Sequence, residues 1–229
     1  MIHQGTATLL RRVLLVCGII AIPLYAVTDL LAGSLYPGYS FTDQAVSELF
    51  AIGAPTSGLV VALFTLYSLL VLAFALGIWM SGSNSPIRRI LALLLMAGAV
   101  NGLLLWNFFP MHMREDEMTF TDTMHLILAA TGGIIGAVAV GFAALAFGRR
   151  FRLYSIGTIV MMFVPTILTF LLAPQVAANE STPWIGLLER TAFAVYWQWQ
   201  IVLAIILLRE EKTNIARHRL SHAGVITFF

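Results

Sequence analysis

Long apolar runs separated by short polar breaks set the pattern of this chain. The runs cover residues 13–33, 57–80, 88–109, 122–147, 153–173 and 185–208. Each is long enough to cross a hydrocarbon core of about 30 Å as a helix, which takes roughly 20 residues. A helix is required because hydrocarbon offers no partner to unpaired backbone groups. The alternating segments of roughly ten residues that mark a transmembrane β-barrel are not seen.

The breaks are punctuated accordingly. Ser81-Gly82-Ser83-Asn84-Ser85-Pro86 separates runs two and three, and Gly148-Arg149-Arg150-Phe151-Arg152 separates four and five. Pro174 ends the fifth run and Pro183 opens the sixth. Pro23 and Pro165 lie inside runs, where each removes a backbone donor and is expected to kink its helix. Gly98-x-x-x-Gly102 in run three and Gly132-x-x-x-Gly136 in run four predict close helix packing, as do Gly133, Ala137 and Gly141 at intervals of four. The connection from Ser34 to Thr56 is the longest at its end of the bundle. Its Pro37-Gly38 is a turn signal. Thr42 and Asp43 suit a helix start, and Gly53 and Pro55 a stop. Phe41, Ala45, Leu49 and Ile52 share one helical face. The expected fold is therefore all-α: a single polytopic six-helix transmembrane domain over residues 1–229, with a short outer amphipathic helix at about 42–52 that carries Ser47 and Glu48 beside it.

Composition agrees with this. Of the 229 residues, 59% are hydrophobic and 10% are charged, where a soluble domain has about 25% charged, and the mean hydropathy is +0.90. Arg11 and Arg12 precede the first run in the manner of a signal peptide, but 13–33 exceeds the roughly 7–15 residues of a signal core, so it reads as a retained span. The one cysteine, Cys17, reads as a small buried hydrophobe.

Charge supplies an orientation. Arg11, Arg12, Arg88, Arg89, Arg149, Arg150, Arg152, Arg209, Lys212, Arg217 and Arg219 fall on one side of a six-span arrangement, eleven of the thirteen bases. By the positive-inside rule that side is cytoplasmic, which puts both termini inside, residues 209–229 in a cytoplasmic basic tail, and the chain in the inner (plasma) membrane. Asp29, Asp43, Glu48, Glu115, Asp116, Glu117, Asp122, Glu180 and Glu189 gather at the other side, with Glu210 and Glu211 the inner exceptions. The outer side sums to about −7 and the inner to about +9 beneath a net charge of +2. An acidic outer face makes nucleic acid an unsuitable partner there.

Candidate chemistry lies at that outer third. Asp122 and His125 share a face of the fourth helix, where a carboxylate can orient an imidazole or merely serve as a first-turn acid. A zinc site needs three or four protein ligands, so His112, Glu48 or Glu189 would have to converge there; no metal or cofactor is expected. Glu189 and Arg190 open the sixth helix, and charges inside a span pair with each other or face a cavity. Asp29 is the obvious partner of Arg190 in an ion pair clamping helices one and six; alternatively Arg190 binds an anionic headgroup through its planar fork of donors. Tyr196-Trp197-Gln198-Trp199-Gln200 sits near the bilayer centre, away from the interfacial aromatic belts. It suggests an aromatic-lined polar cavity to which Asn101 and Asn107 contribute, or interhelical hydrogen bonding. Ser47 with His125 as base and Asp122 or Glu48 as orienter would give hydrolase-type parts, although no G-x-S-x-G elbow surrounds Ser47.

Several stretches resemble a known family. Tyr36-Pro37-Gly38-Tyr39, then Val46-Ser47-Glu48-Leu49, then Gly53-Ala54-Pro55 leading into a span, resemble an uncharacterised family of prokaryotic membrane proteins, domain of unknown function 998. Phe109-Pro110 closing span three, His125 in span four, and Glu189-Arg190 with Trp197 in span six are similar to the same pattern. An acidic residue often follows the Phe-Pro pair in that family; here Met111 and His112 follow. More faintly, the outer loop resembles that of eukaryotic autophagy-modulator and Frag-type membrane proteins. The resemblance implies six spans and a bacterial or archaeal membrane, and no established activity.

Three functions are expected in order. The first is an outward-facing polar pocket that binds a membrane lipid headgroup or small amphiphile, with Asp29, Tyr36, Glu48, His125, Glu189, Arg190, Trp197 and Gln200 around it. The second is an outer-leaflet hydrolase using Ser47, Glu48, Asp122 and His125. The third is a small-solute transporter, disfavoured because the inner halves of the spans are poor in polar residues.

Overall fold

The computed structural model describes residues 2–82, 85–114 and 116–225, and side chains over a slightly narrower set that omits 2–5, 177 and 214–225. Ser83, Asn84 and Glu115, named above in a break and among the acids, lie outside it, as do the side chains of Arg217 and Arg219 and the last four residues of the expected tail. Among the described residues six α-helices form: α1 (Ile2–Leu35), α2 (Ser57–Ser81), α3 (Pro86–Phe108), α4 (Phe120–Ala146), α5 (Arg149–Ala177) and α6 (Ile185–Val225). All six are long and apolar enough to cross a membrane, so the chain is a multi-pass membrane protein.

Each helix packs against the next in sequence, and α6 returns to α1, so the six close a ring. The end that carries residues 36–56 is called the loop end here, and the end that carries Arg11, Arg88 and Glu210 the basic end. One apolar cluster fills the basic half, with Leu15, Phe74, Ile78, Leu91, Trp199 and Leu203 among its fully buried members. A second lies at the loop end around Tyr25, Leu49, Phe50, Val60, Phe64 and Leu105.

Helix limits follow local chemistry. Ser85 caps α3 with Pro86 as its first residue. Thr119 caps α4, and Asp122 reaches back to the Thr119 N–H at 2.8 Å, a capping box. One expectation is corrected. Pro174 does not end α5, which runs on to Ala177: proline removes a donor, but its carbonyl still accepts from Ala178 at 3.0 Å. Residues 209–225 of the expected tail are helical and continue α6.

The connection between α1 and α2 differs more. Pro37-Gly38 does turn the chain, with Gly38 at φ +79° as a type II turn requires. The helix expected at 42–52 is a short 3₁₀ turn, Val46–Phe50, and it begins after Ala45, not after Thr42. Glu48 explains both facts. Its carboxylate accepts the Ala45 N–H at 2.8 Å, which tightens the turn. Leu49 and Phe50 are buried, and their carbonyls accept from Thr56 Oγ1 at 2.7 Å and Ser57 Oγ at 3.2 Å. The segment is a plug in the mouth of the ring rather than a helix resting on its rim.

The ring is unevenly fastened. The α1–α6 seam holds three polar contacts in antiparallel register: Arg11 to Glu211 at 2.8 Å, Gln200 to the Gly18 carbonyl at 3.0 Å, and Arg190 to Asp29 at 2.7 and 2.8 Å. On the opposite side, the most apolar windows of α4 and α5 bury 17% and 11% of their residues, against 33% to 39% for the other four helices.

Glycine placement shows the same contrast. Gly77 brings α2 against the α1 backbone at Leu14 and Leu15, and Gly18 lies under the Phe74 ring. Gly132 makes room for the Asn101 amide, which donates to the Leu128 carbonyl at 2.9 Å. Gly133 and Gly141, expected to pack a neighbour, face open space.

Candidate functional site

Behind the thin α4–α5 side lies a cavity of about 360 Å³. Its walls come mostly from α3, α4, α5 and α6, with Tyr25 of α1 and Tyr67, Ser68 and Val71 of α2, and its roof from the 45–50 turn and the 111–118 connection. On α6, Glu189, Phe193, Tyr196 and Trp197 line it; their spacing of four, seven and eight residues is one helical face. Gly98, Gly102, Gly132, Gly133 and Gly136 also border it, so the small residues of α3 and α4 leave volume as well as permitting contact. Most of the lining is aliphatic or aromatic.

The roof is tied down from below. Val46 N–H donates to Glu189 Oε2 at 2.6 Å, Gly186 N–H to the Thr42 carbonyl at 2.9 Å, and Thr182 Oγ1 to the Asp43 carbonyl at 2.9 Å. A Cβ on Gly186 would collide with the Phe41 and Gln44 carbonyls, so this close approach of loop to helix needs glycine. Arg114 ties the two roof segments together. Its guanidinium grips Glu48 at 2.7 and 2.8 Å and donates to the Asp43 and Glu180 carbonyls. The hydrogen bonds it donates to Glu48 hold Arg114 above the ordinary guanidinium range. A backbone hydrogen bond from Ile52 to Met111, 2.8 Å, closes the same joint.

The residues singled out from sequence separate into two groups. Ser47, Asp122, His125, Glu189, Trp197 and Asn101 border the cavity. Asp29, Tyr36, Glu48, Arg190, Gln200 and Asn107 do not. Arg190 is committed in every direction: to both oxygens of Asp29, to the Phe41, Gln44 and Gly186 carbonyls, and to the Tyr39 hydroxyl. It is a clamp, and the headgroup role considered for it has no free donor to use. Tyr36 donates to Met113 sulfur at 3.6 Å. Burial pushes the Tyr36 and Tyr39 hydroxyls above the usual phenol range, so both remain donors. Gln200 is fully buried against α1. Asn107 pairs with Thr65 at 3.0 Å.

The hydrolase set is not wired as a relay. Asp122 accepts from His112 N–H at 2.7 Å and from Thr119 N–H and Oγ1 at 2.8 and 2.9 Å, and it lies 2.9 Å from His112 Nδ1. His125 turns its Nδ1 to the Phe109 carbonyl at 2.9 Å. Glu48 belongs to Arg114. Among the described residues no hydrogen bond joins Ser47, Glu48, Asp122 and His125 to one another, and no three His, Cys, Asp or Glu side chains cluster as metal ligands.

Sequence reasoning missed two wall groups. The indole N–H of Trp106 and the hydroxyl of Ser68 are buried, border the cavity and have no hydrogen-bond partner among the described residues. A tryptophan and a serine on α3 and α2 carry no periodic signal that separates them from packing residues. Arg114 is, with Arg190, one of the two bases that fall outside the group of eleven, and that placement is its signal: both lie at the loop end and are held by buried acids.

The model of a family described as Protein of unknown function (DUF998) matches residues 19–206, and the chain belongs to that family. No curated protein and no solved structure matches it.

Proposed function

We propose that this protein binds a membrane amphiphile in the cavity between α3 and α6, with the head under the loop end and the chain directed toward the α4–α5 side. The observation that carries this is the cavity itself. Its volume of about 360 Å³ falls in the usual range for small-molecule sites, roughly 300–1,000 Å³, which are apolar with a few placed polar groups. Two of those polar groups, Trp106 Nε1 and Ser68 Oγ, lack partners, and a buried unpartnered polar atom costs about 1–3 kcal/mol until something bonds it. The sparse packing of α4 and α5 supports access from the lipid.

In this proposal the loop end faces outward from the plasma membrane and the basic end faces the cytoplasm, because most bases lie at the latter. Gly133 supplies the test. It borders the cavity, and a side chain there meets no atom within 4 Å, so Gly133→Phe is expected to fold. Lipid mass spectrometry of the purified protein should find a retained amphiphile in the wild type and a several-fold loss in Gly133→Phe, with the melting temperature unchanged. Equal retention in both would sink the proposal.

A second reading keeps the same ligand and makes it a substrate. Its support is that Ser47 and His125 both border the cavity, and the Ser47 hydroxyl has no hydrogen bond among the described residues. The same mass spectrometry would then find cleaved lipid with the wild type and none with Ser47→Ala; cleavage in neither excludes it. A transporter has least support, since the cavity ends on the apolar cluster of the basic half.

A further inference from the structure

The polar part of the cavity has an acid and no available base. Glu189 borders it, accepts one hydrogen bond, from Val46 N–H, and forms no ion pair with any described residue. The neighbouring arginines are engaged elsewhere, Arg190 with Asp29 and Arg114 with Glu48, and His112 Nδ1 lies against Asp122. His125 sets its Nδ1 on the Phe109 carbonyl at 2.9 Å. One to two turns further along the same face of α6 stand Phe193, Tyr196 and Trp197. Tyr25 of α1 joins them, its ring centroid 5.7 Å from Phe193 and 4.8 Å from Trp197.

A carboxylate beside several aromatic rings is the chemistry that recognises an ammonium group. Ring faces attract a cation through their quadrupole, and more strongly when water is excluded. Beside Glu189 a phosphate or sulfate would meet like charge, and the arginines at that end, Arg114 and Arg190, are already paired with Glu48 and Asp29. We infer that the amphiphile carries a cationic, ammonium-type head, held between Glu189 and the aromatic wall of Tyr25, Phe193 and Trp197. This rests on the cavity being an amphiphile site, and it adds the head chemistry. The acidic excess at the loop end draws such a cation toward the mouth.

The test uses three amphiphiles with one tetradecyl chain and different heads: trimethylammonium, sulfate and maltoside. Each is titrated below its micellar concentration into the full chain in dodecylmaltoside, and binding is read by native mass spectrometry and by tryptophan fluorescence. The wild type should bind the trimethylammonium compound at least roughly tenfold more tightly than the other two, about 1.4 kcal/mol. Glu189→Gln keeps an acceptor for Val46 N–H and should bring the three affinities together. Phe193→Leu should weaken the cation alone and carries the test if Glu189→Gln does not fold. A sulfate bound as tightly as the cation, or a cation preference that survives both substitutions, overturns the inference while the cavity reading stands. Binding of none of the three overturns both.

Discussion

Arg190 donates to five acceptor groups, and all of them belong to the protein. Removing it leaves Asp29, 5% exposed, without its counter-charge. Breaking a buried pair from one side costs about 3–5 kcal/mol, so Arg190→Ala should melt far below the wild type in detergent. Arg190→Lys should recover little, because an ammonium cannot reproduce the bidentate fork. Any Arg190→Ala protein that remains folded should still hold amphiphile; loss of binding with an unchanged melt would restore the headgroup role instead. This pair was legible in the sequence, because Asp29 and Arg190 are charges at matching depth in two apolar runs. The Arg114–Glu48 pair was not, since Arg114 sits in a loop without periodicity and its partner lies 66 residues away. Asp122 and His125 do share a face, but spacing could not show that Asp122 reaches back to Thr119 and His112 while His125 finds a carbonyl.

Between helices, the same residue type does opposite things. Gly77 lets the α1 and α2 backbones touch, whereas Gly141 faces open space. Gly77→Leu should therefore cost stability on the scale of core overpacking, about 1–3 kcal/mol or more, and Gly141→Leu should leave the melting temperature nearly unchanged. Comparable losses from both would mean that α4 is packed on that face after all. The six runs revealed where the helices are because lipid imposes one length and one polarity on every span. They did not reveal which glycines meet a neighbour: the i, i+4 repeats in runs three and four drew attention, while the isolated Gly18 and Gly77 make the close α1–α2 contact. The 42–52 segment misled for a related reason. Its apolar face fits a helix, but Glu48 folds back on Ala45 and shortens it to a 3₁₀ turn.

For the whole molecule, the charge pattern gives a direct expectation about sidedness. With Cys17 replaced by alanine, a cysteine at Gly38 should react with a membrane-impermeant maleimide added outside intact cells, and one at Gly82 should not. The reverse labelling would invert the proposed orientation. That pattern was readable from sequence, because bases mark a membrane face whatever they contact. The cavity was not, since its volume depends on how far α5 stands from α3 and α4, and no single span encodes that distance. The fastening of the ring has a consequence for how the protein is made. The α1–α6 seam joins an early-synthesised helix to one made much later, and three of its polar side chains, Arg190, Gln200 and Glu211, lie on α6. Until ribosomal elongation reaches that helix, Asp29 is in the membrane with its counter-ion unborn, an expensive state for a carboxylate in hydrocarbon. A nascent chain that stops short of α6 keeps that acid unpaired, and translation of α6 is the step that supplies its counter-charge.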